Sequence, residues 1–209
     1  VCREMGKGGW DRHIYALNAD AMSPELDAEW STARQQPLSA AEDAEVDGFL
    51  GRLPAETYLE RTPPTRMTAE ALRTKLGVPA TARVAVAFTN VTWDLATAGR
   101  DVAFAGVLDW IRATIRALAA QPLVRLIVRA HPAEASVHTR ERVLDQIRRE
   151  WPSGLAGVTL VEPEAGIAAA DLVNLSDVVL VYNSTAGIEG AIGGRPVLVC
   201  GAPHYRAKG

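Results

Sequence analysis

Residues 176–201 read SDVVLVYNSTAGIEGAIGGRPVLVCG, and this stretch decides the fold. Val178–Val181 is a short apolar run of the kind a buried strand makes. A turn of small polar residues follows, Asn183-Ser184-Thr185. A helix starts near Thr185 and ends at Gly193-Gly194, and Val197–Val199 is strand-like again. Strand, helix and strand with connections this short make a parallel βαβ unit.

Moving outward, the alternation continues toward the N-terminus. Ile167–Leu175 reads as a short helix and Val158–Val161 as a strand. Val143, Leu144, Ile147 and Trp151 mark an amphipathic helix closed by Pro152 and Gly154. Leu123–Val128 is a strand, and Phe104, Val107, Leu108, Ile111, Ile115 and Leu118 recur at helical spacing before Pro122. Val84–Phe88 is the first strand of the series. A helix precedes it, from Thr68 as cap through Leu76, stopped by Gly77 and Pro79. The pattern predicts an α/β domain over residues 67–209, a doubly wound parallel sheet covered on both faces, with right-handed crossovers. Residues 1–66 are polar and irregular, mostly helical, with an acidic stretch from Glu42 to Asp47. They end in a linker-like Thr62-Pro63-Pro64-Thr65 and read as a linker region or the remnant of an N-terminal domain.

The 209 residues suffice for one sizeable core, or one core and part of a second. A net charge of -3 argues against a nucleic-acid binder held by bulk positive charge. The two cysteines, Cys2 and Cys200, form neither a metal-ligand spacing nor a disulfide framework, which fits a reducing, cytoplasmic compartment. No apolar run reaches the roughly 18 residues that span a bilayer, and no signal peptide is visible, so any membrane association is peripheral or through a partner. The chain opens on Val1 and stops at Gly209 after a polar cluster, and reads as a piece truncated at its C-terminus.

Ligands of such sheets bind beyond the carboxyl ends of the strands. The residues there are Thr89, Asn90, Trp93 and Asp94 after the first strand of the domain, and Arg129 and His131-Pro132 at the end of the second. Asn183, Ser184, Thr185, Gly187 and Glu189 follow the fourth strand, and His204, Tyr205, Arg206 and Lys208 follow the fifth. Small hydroxyl residues and backbone N–H groups at a helix start make an anion pocket, unless Ser184 or Thr185 merely caps the helix. Glu189, one turn in, either accepts hydrogen bonds from both ribose hydroxyls or merely complements the helix dipole. His131, held extended by Pro132, either donates to a phosphate or leaving-group oxygen or is a structural histidine bonded to a backbone carbonyl. Alternation turns Arg129 to the same side or buries its stem. The cluster 204–208 either neutralises a diphosphate or an acidic sugar, or is a solvated tail. Trp93 either stacks on a sugar or base or closes a core edge. No G-x-G-x-x-G turn, Walker pattern, G-x-S-x-G elbow or metal-ligand grouping is present, so neither a cofactor nor a metal is expected.

The runs VAVAFTN, RAHP, LVNLSDVVLVYNSTAGIEGAIGGRPVLVCG and HYRAKG resemble the C-terminal domain of bacterial capsule polysaccharide synthesis proteins, over about residues 77–209. The resemblance implies the C-terminal, Rossmann-like donor-binding half of a GT-B glycosyltransferase. It implies metal-independent transfer of an acidic, Kdo-like sugar from a CMP-linked donor to a glycan or glycolipid acceptor. The implied setting is cytoplasmic, with peripheral association at the inner-membrane capsule export machinery. Bacterial sialyltransferases of similar fold carry a His-Pro and a paired-hydroxyl motif around CMP, which places His131, Ser184 and Thr185 on the donor phosphate. Glu189 matches the ribose-binding acid of GT-B donor domains. The pattern often has Ala after that Glu, whereas this chain has Gly190, which either loosens the helix start or permits close packing. The catalytic base of such enzymes comes from the N-terminal domain, and no residue here is assigned to it. The alternatives are a transferase using CDP-glycerol or a UDP-sugar, and a non-catalytic module that binds a partner in an export complex.

Overall fold

The computed structural model describes residues 2–5, 14–17, 27–52, 66–93, 97, 99–136 and 139–208. The linker-like 62–65 and Asp94 lie outside the described residues. The chain forms two compact units, Val1–Pro63 with His204–Gly209, and Pro64–Pro203.

In the first unit, β1 (Cys2–Met5) pairs antiparallel with β2 (Ile14–Leu17), and two helices follow, α1 (Asp27–Ala33) and α2 (Ala40–Arg52). The strand pair is not foreseen from the sequence, because four residues are too few to show a period of two. A capping box starts α2. Ser39 N–H donates to Glu42 Oε2 at 2.8 Å, and Glu42 N–H donates back to Ser39 Oγ at 3.3 Å. The hydroxyl and amide of Ser39 hold the Glu42 carboxyl below its ordinary range.

The second unit carries the expected doubly wound sheet. Its elements are α3 (Ala69–Leu76), β3 (Arg83–Phe88), α4 (Val107–Ala119), β4 (Val124–Arg129), α5 (Ala133–Ser136) and α6 (Val143–Glu150). They continue with β5 (Val158–Val161), α7 (Ala169–Leu175), β6 (Val178–Val181), α8 (Ala186–Ile192) and β7 (Val197–Val199). All neighbours are parallel, in the order β5-β4-β3-β6-β7. Thr68 caps α3, its hydroxyl accepting from Ala71 N–H, and Gly77 closes it in the left-handed conformation. The helix expected to include Phe104 begins only at Val107, because Gly106 at φ 143 breaks the run.

Alternation along the strands divides the core. Val84, Val86, Phe88, Ile127, Val179 and Val181 pack on one face with residues of α3 and α7, and Ala186 of α8. Ala85, Ala87, Leu126, Val128, Leu180 and Tyr182 pack on the other with α4 and α6. Two carboxylates pin the frame. Asp171 of α7, nearly sealed from solvent, accepts from Arg66 Nε at 2.6 Å and Met67 N–H at 2.9 Å. Asp177 accepts from Arg83 Nη1 and from Val84 N–H, both at 2.8 Å, and these donors hold its carboxyl below the ordinary range. Among the described residues no helix is long and apolar enough to cross a membrane.

Candidate functional site at the carboxyl edge of the sheet

The chain winds from β3 outward to β4 and β5, then returns to the far side of β3 for β6 and β7. The winding direction therefore reverses between β3 and β6, where open α/β sheets form their ligand crevice. Arg129, Phe88 and Val181 end their strands in one row. Two residues further on, His131, Asn90 and Asn183 stand beyond the ends of β4, β3 and β6. His131 and Asn183 therefore follow the two strands that flank β3, and Asn90 follows β3 itself.

The crevice is bridged at its base, where Asn183 N–H donates to Asn90 Oδ1 at 3.1 Å. Thr89 is 2% exposed, and its hydroxyl donates to Arg129 O at 3.1 Å. It therefore ties β3 to β4 rather than lining the crevice. His131 sits at the head of α5, and its Nδ1 accepts from Ala133 N–H at 3.2 Å. An accepting Nδ1 leaves the proton of the neutral ring on Nε2, the tautomer that donates to an oxygen ligand.

The start of α8 differs from expectation. Ala186 N–H donates to Ser184 Oγ at 3.3 Å, so Ser184 does act as a cap. Gly187 N–H donates to Ser184 O, and Ile188 N–H to Thr185 O. With Asn183 N–H bound to Asn90, these four amides already have acceptors within the chain. The expected mouth of free backbone N–H groups is corrected to this extent. The physical reason is that turn closure and capping satisfy the donors that a longer helix start leaves open. The Thr185 side chain makes no capping bond.

Arg129 and Glu189 feel each other's charge. Arg129 is 6% exposed and donates from Nη2 to Ile167 O at 3.3 Å, so the strand end carries a buried cation. Burial raises the Glu189 carboxyl, and the positive charge of Arg129 works against that rise. Gly190 settles its alternative in favour of close packing, since a Cβ there would lie 3.1 Å from methyls of both Val179 and Val197. His204, Tyr205 and Lys208 belong to the other compact unit. There the His204 and Tyr205 rings pack edge to face, and Lys208 pairs with Asp27.

Sequence reasoning missed several supports of this edge. Tyr182, fully buried, donates its phenol to Asp101 and packs 5.8 Å from Trp110, and burial and Asp101 push that phenol well up. Arg100 Nη1 donates to Ala202 O at 2.7 Å, and Ala202 N–H returns a bond to Arg100 O at 3.1 Å. Residues 100–104 are thereby fastened over the ends of β6 and β7. Trp93 is 57% exposed, with its indole N–H on Thr139 Oγ1 at 3.2 Å, so it does not close a core edge. Glu134 is buried beneath the His131 turn. No local pattern announces it, since its carboxyl accepts from Val143 N–H nine residues on. No group of three or more His, Cys, Asp or Glu able to hold a metal occurs among the described residues.

Residues 97–209 match the sequence model of the family described as capsule polysaccharide biosynthesis protein. No curated protein matches the chain. Among solved structures, the beta Kdo 2,4 transferase of Thermosulfurimonas dismutans KpsC is similar at 20% identity and a TM-score of 0.47. That match covers 61% of this chain and 36% of the other. The beta Kdo 2,7 transferase of the same protein is similar at 19% identity and a TM-score of 0.43, covering 66% of this chain and 41% of the other. The chain thus spans less than half the length of either. The family match takes in more than half of the 209 residues, from the loop before α4 through β7, and includes His131 and Asn183 but not β3 or Asn90. On that match, this chain belongs to the capsule polysaccharide biosynthesis protein family.

Proposed function

We propose that the crevice binds the nucleotide of an activated sugar, and that the chain is the donor-binding half of a glycosyltransferase of capsule synthesis. The observation that carries this proposal is the row His131, Asn90 and Asn183, set across three adjacent strand ends at the point where the winding reverses. A crevice there, flanked by a buried arginine, a half-buried glutamate and an oriented imidazole, offers the donors a phosphate requires and an acceptor for sugar hydroxyls.

In the proposed reaction an acceptor hydroxyl attacks the anomeric carbon, and the bond to the nucleotide phosphate breaks. His131 Nε2–H and the Ser184 and Thr185 hydroxyls meet the charge that develops on the departing phosphate, while Glu189 accepts from the ribose hydroxyls. The cation beneath them is Arg129. With these polar and cationic groups around the phosphate, no metal is required in this scheme. The proposed donor carries CMP and an acidic, Kdo-like sugar, and the acceptor is a glycan or glycolipid. The proposed setting is the cytoplasmic face of the inner membrane, beside the capsule export machinery.

Calorimetric titration with CMP, CDP and UDP tests the nucleotide. CMP is expected to bind most tightly, and His131→Ala is expected to weaken it about tenfold or more with an unchanged melting temperature. Equal affinity for the three nucleotides removes the cytidine claim and leaves a transferase of CDP-glycerol or a UDP-sugar. No affinity for any of them favours a module that only binds a partner.

A further inference from the structure

Glu134 has no part in the scheme above, yet it is the most deeply buried acid of the carboxyl edge, 1% exposed. It belongs to the same turn as His131. Its amide donates to His131 O at 3.0 Å, and its neighbour Ala133 donates to His131 Nδ1. Its carboxyl points away from that turn, so that Oε1 accepts from the N–H of Val143, the first residue of α6, at 3.4 Å. Oε2 is buried without a hydrogen-bond partner. A four-residue helix has little stability of its own, and the Glu134 carboxyl ties α5 to the start of the longer α6.

We propose that Glu134 is a positioning residue for His131, a buried carboxyl that ties the His131 turn to the start of α6 and lets it move when the carboxyl ionises. In the neutral acid, one oxygen accepts from Val143 and the proton occupies the oxygen that lacks a donor. In the anion that second oxygen is a buried charge with nothing to satisfy it, which is strongly unfavourable. Burial pushes the carboxyl up to about 7, the Val143 amide and Arg142 draw it down, and Asp145 and Glu162 push it up. Arg142 pairs with Glu164 at 3.0 Å, and Arg148 pairs with both Asp145 and Glu162. Ionised Glu134 competes with Glu164 for Arg142, or pulls α5 toward water. Either course changes the position of the turn that carries His131.

The inference rests on His131 serving the donor phosphate, but its first test does not. The ring resonances of His131, identified by their loss in His131→Gln, are followed in the full chain by NMR from about pH 5.5 to 8.5. The wild type is expected to show a second inflection near pH 7 that Glu134→Gln lacks. CMP titration over the same range is the second test. Wild-type affinity is expected to fall above neutrality, Glu134→Gln to flatten that fall, and Glu134→Ala to lose about tenfold throughout. Identical His131 curves in the wild type and Glu134→Gln overturn the proposal, as does undiminished CMP binding by Glu134→Ala. Should Glu134→Ala not fold, the Gln variant decides. Should the wild type bind no CMP at any pH, the donor assignment fails while the NMR comparison still judges Glu134.

Discussion

Gly201 is the position where the fold leaves no room at all. A Cβ built there would lie 2.6 Å from Tyr182 O and 3.1 Å from Tyr182 Cδ1. Carbon meets a carbonyl oxygen at about 3.3 Å, so Gly201→Ala forces the two strand ends apart by roughly 0.7 Å. Neither partner yields easily. The carbonyl is main chain, and the Tyr182 ring is fixed by Trp110 and Asp101. Gly201 N–H donates to that same carbonyl at 3.0 Å, and a parting of this size stretches the bond to about 3.7 Å, beyond hydrogen-bond range. Overpacking costs about 1–3 kcal/mol and the lost bond about 1 kcal/mol, giving about 2–4 kcal/mol in all. For a chain of this size the melting temperature then falls by about 5–15 °C. Gly194→Ala is the control, because Gly194 has a positive φ of 69 but nothing within 4 Å of its Cβ position. It is expected to lose only the left-handed penalty, about 1–2 kcal/mol. Thermal and urea unfolding of the two variants side by side decide the matter. A Gly201→Ala protein no less stable than Gly194→Ala would refute the reasoning.

Other substitutions probe the remaining supports. Asp171→Ala removes the acceptor of both Arg66 and Met67, and the partly exposed arginine can return to water while the amide is left unpaired. A loss of about 1–3 kcal/mol in urea unfolding is expected, and a change under 0.5 kcal/mol would show that the amide finds water instead. Asp177 has a folded carboxyl held below its unfolded range, so its contribution is present above the unfolded value and lost as pH falls through the folded one. Melting curves of the wild type and Asp177→Asn are expected to differ at neutral pH and converge in acid, and a constant difference contradicts that sign. Tyr182→Phe removes the donor to Asp101. It is expected to cost about 1 kcal/mol and to speed amide exchange across residues 100–106, and unchanged exchange there would mean that Arg100 alone fastens the loop.

The fold was legible because burial on both faces writes each central strand as an apolar run. RVAVAF, VRLIVR and VVLV admit few other readings when helical periods separate them. Boundaries were less legible where a single backbone angle decides, as at Gly106, which places Phe104 outside α4 although its spacing fits. At the edge of the sheet, residue type announced His131, Arg129 and Glu189, but not which bonds the neighbouring amides would choose. Ser184 shows the limit. Its hydroxyl suits both a ligand and a cap, and only coordinates show it accepting from Ala186. Supports such as Tyr182 with Asp101, or Arg66 with Asp171, join residues 81 and 105 apart in sequence, and no local pattern encodes such a pairing.

Committing the amides of Asn183, Ala186, Gly187 and Ile188 to the chain itself changes the electrostatics proposed for this crevice. A helix start with open donors binds an anion through fixed partial charges that do not titrate. With those donors engaged, the burden in the proposed scheme passes to side chains: the Ser184 and Thr185 hydroxyls, Arg129 and His131. Arg129 is charged at every relevant pH but is buried and bonded to Ile167 O, so in the proposed scheme it supplies a steady field rather than a direct grip. His131 then becomes the group whose position and tautomer decide how tightly a phosphate is held. Its tautomer is set by the Ala133 amide and its turn is closed by the Glu134 amide. The affinity of the crevice for a phosphate is therefore expected to follow the short segment 131–136 more closely than the glycine-rich helix α8, although α8 is the part that the sequence makes most conspicuous.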